Sequence, residues 1–234
     1  MFKTISSLCS SKGIKKEGLF LLSGEKIINE FLKNPNSEIV YEIKIPKLAS
    51  ITNATVIDFK KELFDEIDVL GTHFNILVLK TPIIGSVSDY KPCGLEVLAP
   101  LGDPGNLGSL IRSCDAFGVK RLLLSQEAAN PFLPKCMKAS AGSVLRVPMV
   151  NAGTLKSFAD NKHIFALDMN GTPIDQCDFP KDMLLVIGEE GQGIADIPFK
   201  NKISIPTANV ESLNAVAAAN IALFYISRML QSNK

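Results

Sequence analysis

Histidine is scarce in this chain: of 234 residues only His73 and His163 carry an imidazole, and neither stands beside a serine or cysteine in a nucleophile motif. No H-E-x-x-H, G-x-S-x-G or G-x-x-x-x-G-K-[ST] occurs, which sets aside zinc metalloproteases, serine hydrolases and Walker-type triphosphatases. The five cysteines, Cys9, Cys93, Cys114, Cys136 and Cys177, are odd in number, widely spaced and form no C-x-x-C pair. Neither a disulfide framework nor a structural zinc is therefore expected, and a reducing compartment fits best. No run approaches the roughly 20 apolar residues of a membrane span, and the opening MFKTISSLCSSKGIKK lacks the continuous apolar core of a secretory signal. The expectation is a soluble, cytoplasmic protein without a membrane partner. Charge of one sign is lacking too: 25 Lys+Arg against 24 Asp+Glu leave +1, so the total does not announce a nucleic-acid binder.

What is present is ample core material, 46% hydrophobic residues, enough for one large domain or two modest ones. Local charge departs from the global balance. Between Gly105 and Val150 six basic residues (Arg112, Lys120, Arg121, Lys135, Lys138, Arg146) meet two acidic ones, Asp115 and Glu127. That stretch could face phosphates, or be charges scattered over solvated helix ends.

From Met1 to about Lys91 the pattern is that of a small α/β unit: a strand-like GLFLLSG, a helix-like EKIINEFLKN, apolar segments around EIVYEIKI and ATVIDF, then FNILVLK. Pro82, Gly85, Ser86, Ser88 and Pro92 break both periodicities, which puts a linker between Thr81 and Pro92. The domain reading is 1–85 and 92–234. In the second part, short β-rich runs (LEVLAP, RLLLS, IFALDM, LLVIG, KISIP) alternate with helical or loop stretches, the pattern of a mostly parallel sheet with crossover helices. The last element, ESLNAVAAANIALFYISRML, is apolar around nearly its whole circumference, which predicts burial on several sides.

Three segments that each follow a predicted strand carry the chemistry. In LGDPGNLGSLIRSCDAFGV, Asn106 can cap a helix and Gly118 can end it. Leu107, Leu110, Ile111, Cys114 and Phe117 form its apolar stripe, and Arg112 lies about 100° outside the stripe, either as a plain surface arginine or as a functional one. In LLVIGEEGQGI, glycines 188, 191 and 193 allow close ligand approach. The G-x-G-x-x-G order is absent and Glu189 and Glu190 would repel a pyrophosphate, so a ligand without phosphates fits better. In KISIPTANVESLNAVAAAN, Pro206 stops a strand, and Glu211, Ser212 and Asn214 sit at the start of the terminal helix, where Ser212 and Asn214 either cap it or hold a ligand. Loops at the carboxyl ends of strands in one open α/β sheet are where ligands gather.

Taken together, DPGNLGSLIRSCDAFG, VIGEEGQG and IPTANVESLNAVAAA resemble the three signature motifs of the SpoU-type (TrmH-like) RNA ribose methyltransferases of the trefoil-knot superfamily, over about Leu95 to Arg228. KASAGSVLRVP resembles the same family, and GLFLLSGEKIINEF is similar to its N-terminal substrate-binding domain, a small ribosomal-protein-like α/β unit. The resemblance implies an α/β catalytic domain with a deep C-terminal trefoil knot, S-adenosylmethionine as methyl donor, no metal, and transfer to a ribose 2′-hydroxyl of structured RNA, ribosomal RNA before transfer RNA. It also implies a homodimer through the knotted domain. Carried over by position, Arg112 matches the arginine implicated in activating the ribose hydroxyl, as base or as positioning group, with Asn106, Glu190 and Ser212 grouped around it. Gly188, Ile205, Leu213 and Leu167 match the donor pocket, to which Asn214 and Gly193 are added. Thr207 departs from the methionine usual after I-P, and the loop from Pro206 to Ser212 is one residue shorter than usual, which implies a differently shaped donor pocket. Two other readings are a non-catalytic RNA-binding protein that keeps the scaffold and a nucleoside-binding regulator.

Overall fold

The computed structural model describes residues 1–159, 161–188, 194 and 197–232. Two sheets organise them. The first is built from β1 (Leu19–Leu22), β2 (Ile39–Lys44), β3 (Thr55–Asp58) and β4 (Ile76–Lys80) in the order β1-β4-β2-β3. With it run α1 (Phe2–Ser7), α2 (Ser11–Glu17), α3 (Glu25–Lys33) and α4 (Lys61–Ile67). The short α1 and α2 fall in a stretch where the sequence showed no element. Ser10 caps α2 by accepting from the Gly13 amide.

Residues of β1 and β4 are apolar without alternation because both sheet faces are covered. Leu21, Ile76 and Val78 meet Ile5, Leu8, Phe64 and Ile67 of the helices. Phe20, Leu22, Leu77 and Leu79 instead belong to a core continuous with the second half of the chain, where the rings of Phe20 and Phe132 lie 4.9 Å apart. The two halves thus share one core.

The second sheet holds β5 (Leu95–Ala99), β6 (Arg121–Ser125), β7 (Met149–Gly153), β8 (Ile164–Pro173), β9 (Met183–Val186) and β10 (Asn201–Ser204), all neighbours parallel, in the order β10-β8-β9-β5-β6-β7. Helices α5 (Pro104–Ala116), α6 (Pro134–Ser140) and α7 (Ala215–Ser232) contribute to the core of one face, with Val97, Leu122, Leu124 and Leu185. The other face, with Leu98, Leu123, Leu184 and Val186, is closed by Leu155, Phe158, Ile194, Ile197 and Phe199. The mostly parallel α/β architecture expected from the sequence is what the chain adopts.

Between the sheets the chain from Thr81 to Gly94 is pinned rather than loose. Val87 N–H donates to Asn151 O at 2.9 Å, and Asn151 N–H donates to Gly85 O at 2.8 Å. Further on, the Tyr90 hydroxyl donates to the buried Glu96 carboxylate, which Arg121 Nε also meets at 2.8 Å. Burial first, then this acceptor, pushes the Tyr90 phenol far up from its ordinary value. Glycine 142, at φ +83°, brings the 142–146 turn against α3, where a Cβ would sit 3.1 Å from Ile27 Cγ2. Arg146 then joins Asp115 of α5 at 2.6 Å and approaches Glu30 of α3 at 3.9 Å.

Among the described residues no helix is long and apolar enough to cross a membrane.

Candidate active site

Chain order reverses between β5 and β9. From β5 the chain proceeds through α5 to β6 and β7, whereas β9, on its other flank, leads to β10 beyond β8. In an open parallel sheet the crevice outside the carboxyl ends of such strands is the natural ligand position. The loop after β5 enters it with Leu101, Gly102 and Asp103, and the chain after β9 enters it with Ile187 and the buried Gly188. Ile187 N–H donates to Leu98 O at 3.1 Å, which keeps the two exits side by side.

Helix α5 begins one turn earlier than the Asn106 cap read from the sequence. Its cap is Asp103, whose Oδ1 accepts from the amides of Gly105 at 2.8 Å and Asn106 at 2.9 Å, with Pro104 at the first helical position. Asp-Pro before a helix is a start signal that the sequence carried. The other oxygen of Asp103 meets Lys135 Nζ of α6 at 2.6 Å. Lys135 foremost, then the helix amides, holds the Asp103 carboxyl below its ordinary value. Asp103 and Lys135 are thus site-forming residues that sequence reasoning passed over; 32 positions apart, they gave no local sign of pairing.

Asn106 is half-buried in the first turns of α5 and Arg112 is exposed on the same helix, as its angle to the apolar stripe predicts. Among the described residues Arg112 has no ion pair. The motif glycine between them, Gly108, is where α6 crosses: a Cβ there would lie 2.5 Å from Cys136 O and 2.7 Å from Ala139 Cβ. Gly118, at φ +69°, follows the helix end, as expected.

Leu167 on β8 and Ile205 after β10 are half-buried and pack on the main core, while Leu213 is half-buried in the loop before α7. The run from Pro206 to Ser212 is exposed throughout. Within it the Thr207 hydroxyl donates to Val210 O. Helix α7 starts at Ala215, later than the sequence suggested, and its cap is Asn214, whose Oδ1 accepts from Val216 and Ala217 amides at 2.9 and 3.3 Å. Ser212 stands three residues before the helix and does not cap it. Glu190 and Gly193 lie outside the described residues.

Two charge and burial expectations change. Of the basic excess between Gly105 and Val150, Arg121 pairs with Glu96, Lys135 with Asp103 and Arg146 with Asp115. Arg112, Lys120 and Lys138 are exposed without an ion pair among the described residues, so half of the run is spent on pairs within the protein and half is not. Helix α7 buries one face, Val216, Ala219, Ala222, Leu223 and Ile226, while Ile221 and Phe224 remain 43% and 57% exposed. Burial on several sides is not achieved within one chain.

No group of three or more His, Cys, Asp or Glu side chains among the described residues could hold a metal ion.

This arrangement is that of a known family. Residues 96–224 match the profile of the SpoU rRNA Methylase family, and the chain belongs to it. It is 35% identical over 240 residues to ribosomal RNA small subunit methyltransferase G 2 of Syntrophobacter fumaroxidans, which covers 97% of this chain and 47% of that protein. The chain thus spans about half the length of the curated relative it matches. In fold it is similar to the SpoU methyltransferase AviRb from Streptomyces viridochromogenes in complex with AdoMet, with TM-score 0.84, 22% identity, and coverage of 99% of this chain and 98% of that one. It is likewise similar to the AdoMet-bound rRNA methyltransferase from Sinorhizobium meliloti, with TM-score 0.80, 23% identity, and coverage of 98% and 94%.

Proposed function

We propose that the chain transfers a methyl group from S-adenosylmethionine to a ribose 2′-hydroxyl of structured RNA, ribosomal RNA before transfer RNA. The observation that carries this reading is the pairing of β5 with β9, which sets Ile187 against Leu98 and so runs the segment leading to Gly188 alongside the strand that leads into the helix of Asn106 and Arg112.

The described residues fit an adenosyl ligand. Leu167 on β8, Ile205 after β10 and Leu213 before α7 offer half-buried apolar surface, Gly188 admits backbone contact without a side chain, and no triphosphate cradle is needed. The bound donor supplies an electrophilic methyl on a sulfonium, already a good leaving group, so alignment does most of the remaining work. Arg112, exposed on α5 and without an ion pair among the described residues, can meet an RNA phosphate and set the ribose hydroxyl in line. A guanidinium is a poor base at its ordinary pKa, which favours positioning over proton abstraction. Asn106, Ser212 and Glu190 complete the polar set around the hydroxyl in this reading, and Asn214 and Gly193 the donor side. Asn214 already spends its side-chain oxygen on the α7 cap, leaving its amide N–H groups for a ligand.

The terminal helix is read as threaded through a loop in a trefoil knot, and its exposed Ile221 and Phe224, the latter edge-on to Phe117 at 6.1 Å, as the face a second copy covers. The units 1–85 and 92–234 are read as RNA-binding and catalytic domains in a cytoplasmic protein.

Calorimetry with S-adenosylmethionine, followed by methyl transfer to total RNA and a nuclease-resistance assay for 2′-O-methylation, tests the reading. Arg112→Ala should lower kcat by roughly 10²–10³-fold, as loss of one transition-state contact does, with donor affinity kept. Wild-type turnover in that variant, or no donor binding by the parent protein, overturns the assignment.

A further inference from the structure

Where the two sheets meet, a cleft of about 760 Å³ opens between α2, the connecting segment and the ends of β6 and β7. Lys15 stands on the α2 side, Thr81 and Ser86 on the connecting segment, and Gln126, Asn130 and Asn151 on the catalytic side. Among the described residues no aspartate or glutamate lines it.

Lys15 apart, its polar groups are neutral and partly unused. Asn130 Oδ1 accepts from the Phe132 amide at 2.9 Å, and Asn151 Nδ2 donates to Ile84 O at 3.1 Å. That leaves Asn130 Nδ2, Asn151 Oδ1 and the whole Gln126 side-chain amide without a partner among the described residues. Thr81 Oγ is enclosed, also with no hydrogen-bond partner among them. A set of uncharged donors and acceptors of both kinds matches the edges of unpaired nucleobases, which are read by such groups once unstacked. Lys15 is the charged residue that lines it among the described residues, and Lys12 lies one turn earlier on the same helix. Met1 to Lys16 contains four lysines and no acidic residue, and Lys12 and Lys15 are exposed on α2 without an ion pair among the described residues.

The cleft also communicates with the candidate active site. Its 126–132 wall is tied to the loop after β5, since Ala129 N–H donates to Leu101 O at 2.8 Å, two residues before the Asp103 cap of α5. The wall thus adjoins the start of the helix that carries Asn106 and Arg112.

We infer that this cleft receives an unpaired stretch of the RNA substrate adjoining the methylated nucleotide, with its bases on Gln126, Asn130 and Asn151 and its phosphates on Lys15 and Lys12. The inference rests on the RNA methyltransferase reading above and adds where the flanking strand runs. Phosphate contacts position the strand, and the amides supply sequence preference.

Total RNA carrying 4-thiouridine, crosslinked to the full-length protein by long-wavelength light and mapped by mass spectrometry, tests it. Crosslinks should fall in 11–18 and 124–132. Lys15→Ala/Gln126→Ala alters two exposed side chains that hold nothing else in place. It should raise KM for RNA roughly tenfold, from the loss of one phosphate and one base contact, with S-adenosylmethionine affinity unchanged. Lys15→Ala alone should reduce the slope of log affinity against log salt by about 0.7. Crosslinks confined to other surfaces, or an unchanged KM in the double variant of a protein that does methylate RNA, overturn the cleft assignment alone. A parent protein that neither methylates nor crosslinks RNA overturns the functional reading and this inference with it, and capture of a protein partner in the cleft instead would do the same for the cleft.

Discussion

Gly108→Ala tests whether close approach of α5 and α6 shapes the site. The added methyl carbon would lie 2.5 Å from Cys136 O and 3.1 Å from Cys136 Cα, both main-chain atoms, and 2.7 Å from Ala139 Cβ. No rotamer change relieves a clash with backbone, so α6 must move away by several tenths of an ångström or more. Overpacking of this kind costs about 1–3 kcal/mol, and contact with main chain puts this site at the upper end. The gain in helix propensity from glycine to alanine offsets about 1 kcal/mol. A net loss of about 2 kcal/mol lowers Tm by roughly 4–8 °C in a protein of this size. Because Lys135 of α6 meets Asp103 of α5 at 2.6 Å, the same shift loosens the cap at the start of the helix that carries Asn106 and Arg112. Donor binding should survive better than methyl transfer. Thermal and urea unfolding of Gly108→Ala would be compared with Gly85→Ala, where a Cβ meets nothing within 4 Å and a change under about 0.5 kcal/mol is expected. Equal stability of the two variants, or a Gly108→Ala protein more stable than the parent, refutes the argument.

Two further outcomes follow from particular contacts. Burial would raise the Glu42 carboxyl, but hydrogen bonds from the Thr52 hydroxyl, the Ile51 and Thr52 amides and Asn75 outweigh it and hold the group below its ordinary value near 4.5. A lowered folded-state pKa means stability present above that ordinary value and lost as pH falls through the folded one. Glu42→Gln should therefore cost about 1–3 kcal/mol at pH 7, with the gap in urea midpoint narrowing as pH drops below 4.5; a gap independent of pH counts against it. Phe224→Asp, on the exposed face of α7, should convert a dimeric parent to monomers in sedimentation while leaving far-UV circular dichroism unchanged, and a parent that is already monomeric removes that face from the proposed interface.

Much of the secondary structure was legible because burial on two faces writes continuous apolar runs. LEVLA, RLLLS and MLLV are each buried almost throughout and became β5, β6 and β9. Edge elements were not legible in this way. MVNAG forms β7 with only Ala152 buried, so it shows neither an apolar run nor a clean alternation, and α1 and α2 are too short for a helical period to emerge. Of the site, Arg112 was readable as outward-facing from its angle on α5. Its helix start was misread by one turn because both Asp103 and Asn106 are good caps, and the proline after Asp103 decides between them.

By itself the sequence determined the motif segments, their attachment to strand ends and the family they define, since local propensity and the order of glycines, prolines and caps need no long-range information. Tertiary structure decided the rest. The order β10-β8-β9-β5-β6-β7 brings Ile187 beside Leu98 across more than eighty residues of chain, because a parallel sheet pairs strands by crossover, not by succession. Packing also chose which charges are spent on ion pairs, joined two apparent domains through the Phe20 to Phe132 core, and left Ile221 and Phe224 uncovered. Each of these outcomes depends on which surfaces meet, and the order of residues along a chain does not carry that information locally.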